Sequence, residues 1–160
     1  MTRIGVTGHS KLTPESVPFI ATALRDVLRE HGNDLTGVTC LARGADQVFA
    51  QAVLDVGGTI EVILPSQNYR NEKIKPENRE QFEKLYAQAA RVHVLPHATA
   101  DRDAYVGAGE TLLSSVDTLV AVWDGAAPDG KGGTGDTVRA ARGRSIPVTV
   151  VWPDGAARDG

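Results

Sequence analysis

Short apolar runs alternate with longer amphipathic stretches along this chain. The runs occupy residues 3–7, 38–41, 59–64, 91–95, 118–123 and 147–152. Unbroken runs such as Thr118-Leu119-Val120-Ala121-Val122-Trp123 fit strands covered on both faces. The clearest intervening helix carries Val17, Ile20, Leu24, Val27 and Leu28 on one face, with Arg25, Asp26, Arg29 and Glu30 on the other. Thr13 before Pro14, or alternatively Ser16, is its candidate cap, and Gly32 its stop. Further helices are predicted over 45–56, 77–90, 105–115 and 134–142. This alternation predicts an α/β fold: a single doubly wound, mainly parallel Rossmann-like sheet with helices on both faces. The domain is expected over 1–152, with 153–160 as a loose tail that has nothing to bury. Right-handed crossovers place every strand-to-helix turn at the carboxyl edge of the sheet.

Glycine marks three of those turns: Thr7-Gly8-His9-Ser10, Ala42-Arg43-Gly44-Ala45-Asp46 and Gly132-Gly133-Thr134-Gly135-Asp136-Thr137. Glycine at such a turn lets a ligand approach the backbone, and the helix start beyond it offers unpaired N–H groups to an anion. Together they point to a phosphate-bearing ligand. Gly8, Gly44, Gly132, Gly133, Thr134 and Gly135 are its candidate backbone contacts, Thr134 doubling as a helix cap. Arg43 and Lys131 are candidate phosphate partners. His9 suits phosphate, ribose or a local partner, and Asp46 either caps its helix or binds a ribose hydroxyl. Asp124, the acid that follows the fifth apolar run, is a further candidate ligand contact.

Composition narrows the field. The chain has 160 residues, 41% hydrophobic and 23% charged, enough for one domain with a substantial core. A formal net charge of -3 argues against a broad nucleic-acid face, so a small-molecule nucleotide and no nucleic acid is the expected partner. The single Cys40 excludes an intrachain disulfide and suits a reducing compartment. Met1-Thr2-Arg3 runs straight into the first strand, and no apolar stretch approaches the ~20 residues of a membrane span. A cytoplasmic protein without a secretory leader or membrane contact is the expectation.

Two connections are longer than linking requires. Residues 65–76 hold Gln67, Asn68, Tyr69, Arg70, Lys73 and Lys75, and residues 96–104 hold His97, Asp101, Arg102 and Asp103. Both suit lids or plain surface insertions. His93 and His97 are four apart, but Pro96 breaks any helical pairing, and no metal site is expected. From Gly125 the chain reads G-x-x-x-x-G-K-G, lacking the hydroxyl that would hold magnesium in a P-loop. The first turn lacks G-x-G-x-x-G, which removes the usual dinucleotide dehydrogenase reading.

The three turns, in this order and with Val122-Trp123-Asp124-Gly125 between the second and third, resemble the SLOG superfamily over nearly the whole chain. That superfamily includes LOG-type, DNA-processing, lysine-decarboxylase-like and molybdenum-cofactor-carrier proteins. The resemblance implies a Rossmann-like sheet that binds a nucleotide or nucleotide-derived ligand, often as a homodimer. Helices 77–90 and 105–115 are the candidate contact, with Val106, Leu112 and Leu113 open as core or interface. LOG-type phosphoribohydrolases carry Pro-Gly-Gly-x-Gly-Thr-x-x-Glu. Here Lys131 replaces the proline, Asp136 the threonine and Arg139 the catalytic glutamate, while Thr137 lies nearest the glutamate of deoxyribosyltransferases. Binding without hydrolysis is therefore the leading expectation. The alternative is an N-glycosidic-bond-cleaving enzyme that uses Asp136 or Glu110 instead.

Overall fold

The structure is a computed structural model that describes residues 2–126 and 133–158. Its strands are β1 (Thr2–Gly8), β2 (Leu35–Thr39), β3 (Thr59–Leu64), β4 (Arg91–Val94), β5 (Thr118–Val122) and β6 (Val148–Val151). Its α-helices are α1 (Ser16–Arg29), α2 (Ala45–Asp55), α3 (Pro76–Tyr86), α4 (Arg102–Ser114) and α5 (Thr134–Gly143). The strands form one parallel sheet in the order β4-β3-β2-β1-β5-β6. Chain order reverses between β1 and β5, where Gly8 pairs with Val122. Ligands of open α/β sheets bind outside the carboxyl ends at such a reversal.

The two faces bury separate cores. On one, Ile20, Leu24 and Leu28 of α1, Phe49 and Val53 of α2 and Phe82 and Leu85 of α3 pack with Ile4, Val6, Ile60, Val62 and Val120. On the other, Leu112 and Leu113 of α4 and Ala141 of α5 pack with Val38, Ile63 and Leu119. Leu112 and Leu113 are thus core residues, and Val106 is left exposed. Among the described residues no helix is long and apolar enough to cross a membrane.

Several boundaries depart from the sequence reading for local reasons. β2 ends at Thr39 because Leu41 adopts a left-handed φ of 54° and begins the turn. α1 starts at Ser16 rather than using it as cap, which places Pro18 in the first turn, where its missing N–H breaks no helical bond. α3 stops at Tyr86, and the N–H of Ala90 goes to the carbonyl of Ile60 in β3. α4 starts three residues early because the Asp101 side chain accepts from the N–H of Ala104 at 2.9 Å.

Two larger features add to the sequence reading. The long loops are tied to each other: Gln67 N–H donates to the carbonyl of His97, and Asn68 Oδ1 accepts from the N–H of Ala100. Residues 69–73 form one π-helical turn that buries Tyr69. Residues 154–158 also make backbone bonds that the sequence reading did not foresee. Thr13 N–H donates to Ala157, Ala157 N–H donates to Ser16 Oγ, and Leu12 bridges Arg158. Small residues there leave no apolar pattern to read, yet their backbone completes the entry to α1.

Candidate functional site

Three strand-to-helix connections meet at the carboxyl edge around the reversal. The first two are fitted together by their glycines. Gly44 has φ 88°, and a side chain on it would stand 2.7 Å from the carbonyl oxygen of His9 and 2.5 Å from that of Ser10. The N–H of Ala45 donates to the same His9 carbonyl. A side chain on Gly8 would overlap Ala45 and stand 2.9 Å from Cβ of Val122. Both glycines therefore let the start of α2 lie directly on the end of β1. Leu41 and Gly44, both left-handed, bend this second turn tightly.

Beside this joint, on the α4 and α5 face, lies a cavity of about 180 Å³. Gly8 of β1 and Asp46 of α2 border it, with Tyr69 of the π-helical turn, Tyr105 and Gly109 of α4 and Thr137 of α5. The two tyrosine rings meet edge to face at 6.3 Å, Tyr69 buried and Tyr105 half exposed. Gly109 is in mid-helix, and among the described residues nothing lies within 4 Å of where its side chain would be. Thr137 sits in the first turn of α5, with its N–H and hydroxyl both directed to the carbonyl of Gly133. The cavity thus faces the positive end of a helix dipole.

Asp46 does not cap α2; its carboxylate turns back to accept from the N–H of Ala42 at 3.3 Å. Burial pushes its pKa up to about 7, against backbone bonds from Ala42 and Cys40 and a side-chain bond from Thr39. An acid that titrates near neutrality therefore lines the cavity. Burial also raises the Cys40 thiol and the Tyr69 phenol, with the charge of Asp46 adding to both.

His9 and Asp124 meet across the β1–β5 crevice. The His9 Nε2 lies 3.3 Å from Asp124 Oδ1 and 3.2 Å from the Asp124 N–H. Arg158, from the end of the chain, pairs with Asp124 at 3.0 Å and reaches His9 Nδ1 at 3.4 Å. Trp152 stands edge-on to the imidazole at 5.5 Å. Burial and then the charge of Arg158 hold the His9 pKa below its ordinary value, outweighing the opposite pull of Asp124.

The remaining sequence candidates scatter. Lys131 and Gly132 lie outside the described residues. Gly133 precedes α5, Thr134 opens it, Gly135 is buried and Asp136 is half-buried in the same first turn. Arg139 is exposed. Glu110 is exposed and borders a different groove, with Leu95 and His97. Arg43 points outward into a second pocket, on the α2 and α3 face, together with Lys11, Lys73 and Lys75. Sequence reading missed Tyr105 and Gly109 as site residues, although a glycine pair inside a predicted helix was the available signal.

No family model and no curated protein matches the sequence. Solved structures do match its fold. The chain superposes on DNA processing protein A from Helicobacter pylori with a TM-score of 0.69 at 17% identity, covering 98% of this chain and 68% of that one. For DNA processing protein A from Streptococcus pneumoniae the TM-score is 0.68 at 15% identity, over 97% of this chain. This chain spans about half, 52%, of that one. The molybdenum cofactor binding protein from Rippkaea orientalis gives 0.61 at 20% identity, with 96% and 77% covered. The Helicobacter pylori structure concerns a single-stranded DNA binding mode, which overturns the expectation that excluded nucleic acid. That expectation rested on net charge, a sum over the whole surface, whereas Lys11, Arg43, Lys73 and Lys75 gather in one pocket. The chain has the fold that these neighbours share, a Rossmann-like parallel sheet with helices on both faces.

Proposed function

We propose that the cavity at the carboxyl edge binds the nucleotide part of a phosphate-bearing ligand, and that the protein senses or carries this ligand rather than hydrolysing it. The observation that carries this reading is Gly109. A glycine inside a helix costs about 0.5–1 kcal/mol relative to alanine, and no contact among the described residues requires one here. The space it leaves opens beside Tyr105, whose half-exposed ring suits stacking on a base, and beside the α5 N-terminus, which suits phosphate. Neighbours of the fold support ligand binding of this kind: one structure concerns single-stranded DNA, another a molybdenum cofactor binding protein. Binding is favoured over cleavage because Arg139 and Glu110 are both exposed, and Glu110 borders another groove.

Calorimetry with nucleoside 5′-monophosphates and the matching nucleosides tests the reading. The monophosphates bind and the nucleosides bind at least ten times more weakly. Equal affinity for both series would overturn the phosphate assignment.

A further inference from the structure

Tyr69 borders both the cavity and the pocket on the α2 and α3 face, which measures about 200 Å³. Lys11 enters it from the β1–α1 connection, Arg43 from the β2–α2 turn, and Lys73 and Lys75 from the connection before α3. None of these four cations has an ion-pair partner among the described residues, and no carboxylate lines the pocket. Four like charges from three separate segments repel one another unless an anion sits between them.

Their placement is built, not incidental. Gln47 of α2 and Asn78 of α3 exchange two side-chain hydrogen bonds, at 2.8 and 2.9 Å, and Gln47 also donates to the carbonyl of Leu41. Buried Tyr69 and the guanidinium of Arg79 on the carbonyl of Arg70 fix the π-helical turn that carries Lys73. The segments that carry Arg43, Lys73 and Lys75 are thereby tied in place, and the four cationic residues themselves are exposed.

Size decides what the anion belongs to. Ligand clefts commonly measure ~300–1,000 Å³, and neither the cavity nor the pocket reaches that alone. Consecutive phosphates of a polyphosphate chain share a bridging oxygen and lie too close together to occupy both spaces. Phosphates separated by a nucleoside can. We propose that Lys11, Arg43, Lys73 and Lys75 seat the second phosphate of a ligand built from two phosphate-bearing nucleotide units, the first unit lying in the cavity. This rests on the nucleotide reading of the cavity. A linear strand and a cyclic dinucleotide both supply the chemistry.

The test compares 5′-mononucleotides, 5′-phosphorylated linear dinucleotides and cyclic dinucleotides of the same bases, on the wild type and on Lys73→Gln/Lys75→Gln. Both lysines are exposed, so the fold survives. A dinucleotide binds the wild type about tenfold or more tighter than its mononucleotide. The double variant loses that gain, keeps the mononucleotide, and shows a salt dependence shallower by ~0.7 for each phosphate charge it no longer neutralises. Whether the linear or the cyclic series shows the gain identifies the source. Mononucleotide binding with no dinucleotide gain overturns the second site and leaves the cavity reading standing. Equal loss of both ligands in the double variant overturns it too, assigning the lysines to the first phosphate. Lysine-dependent dinucleotide binding without any mononucleotide binding upholds the pocket and overturns the cavity reading. No binding in any series overturns both.

Discussion

Ala45 occupies the space into which a side chain on Gly8 would project, and the N–H of Ala45 donates to the carbonyl of the next residue, His9. The end of β1 and the start of α2 are thereby locked as one unit. Asp46, Arg43 and the Leu41 turn are all placed relative to that joint, because each lies within four residues of Ala45.

Replacing Gly8 by alanine is expected to destabilise the fold. The added methyl meets Ala45 and, at 3.0 Å, the carbonyl oxygen of Val122, neither of which is the free end of a flexible side chain. Overpacking of this kind costs ~1–3 kcal/mol. A urea titration should show a lower midpoint at unchanged slope, and an unchanged midpoint would mean that the joint yields freely.

Asp46 sets a pH dependence whose sign is fixed. Its folded pKa, raised by burial to about 7, exceeds the ordinary value of 3.8. The native state therefore holds a proton that the unfolded chain releases. The associated stability is fully present below about pH 4 and is lost as pH rises through about 7. A shift of this size corresponds to roughly 4 kcal/mol between those limits. Asp46→Asn keeps an acceptor for the Ala42 N–H and should flatten this part of the stability profile, measured by denaturant midpoints from pH 4 to 8. A wild type whose stability does not fall across that range would contradict the assignment.

The sheet was legible in the sequence because each strand is a short apolar run and each crossover a helix with one apolar face. The site was legible only where glycine marks a turn. Gly8 and Gly44 stood out, but composition does not distinguish a glycine that admits a ligand from one that admits Ala45 or the His9 carbonyl. Lys73 and Lys75 were visible as a basic loop. Their meeting with Lys11 and Arg43 depends on the Gln47–Asn78 pair, whose members are 31 positions apart. The bonds of residues 154–158 were not legible because backbone groups make them, and Ala157 offers the same N–H and carbonyl as any other residue.

Arg158 and Asp124 pull the titration of His9 in opposite directions. The guanidinium lowers the imidazole pKa and the carboxylate raises it, while burial lowers it most. Arg158→Ala should therefore move the His9 titration upward, and Asp124→Asn downward, as followed by NMR of the ring protons. Because the native value is depressed, the contribution of His9 to stability falls as pH drops through the ordinary histidine range near 6.5. Shifts of the same sign in both variants would show that the two side chains do not flank the imidazole in solution.

Gly109 separates the requirements of the fold from those of the ligand. Alanine there adds a methyl where nothing lies within 4 Å and relieves the conformational freedom of a mid-helix glycine. Gly109→Ala should accordingly raise stability by ~0.5–1 kcal/mol. Leucine at the same position keeps the helix but extends several carbons into a cavity of about 180 Å³, between Tyr105 and Thr137. No contact among the described residues uses that space, and under the proposed function a nucleotide occupies it. Gly109→Leu should thus remain folded, by circular dichroism and thermal melting, while nucleoside 5′-monophosphate affinity drops tenfold or more in calorimetry. Wild-type affinity in a folded Gly109→Leu protein would place the ligand elsewhere on the sheet edge, and a destabilised Gly109→Ala would assign the glycine to the helix instead.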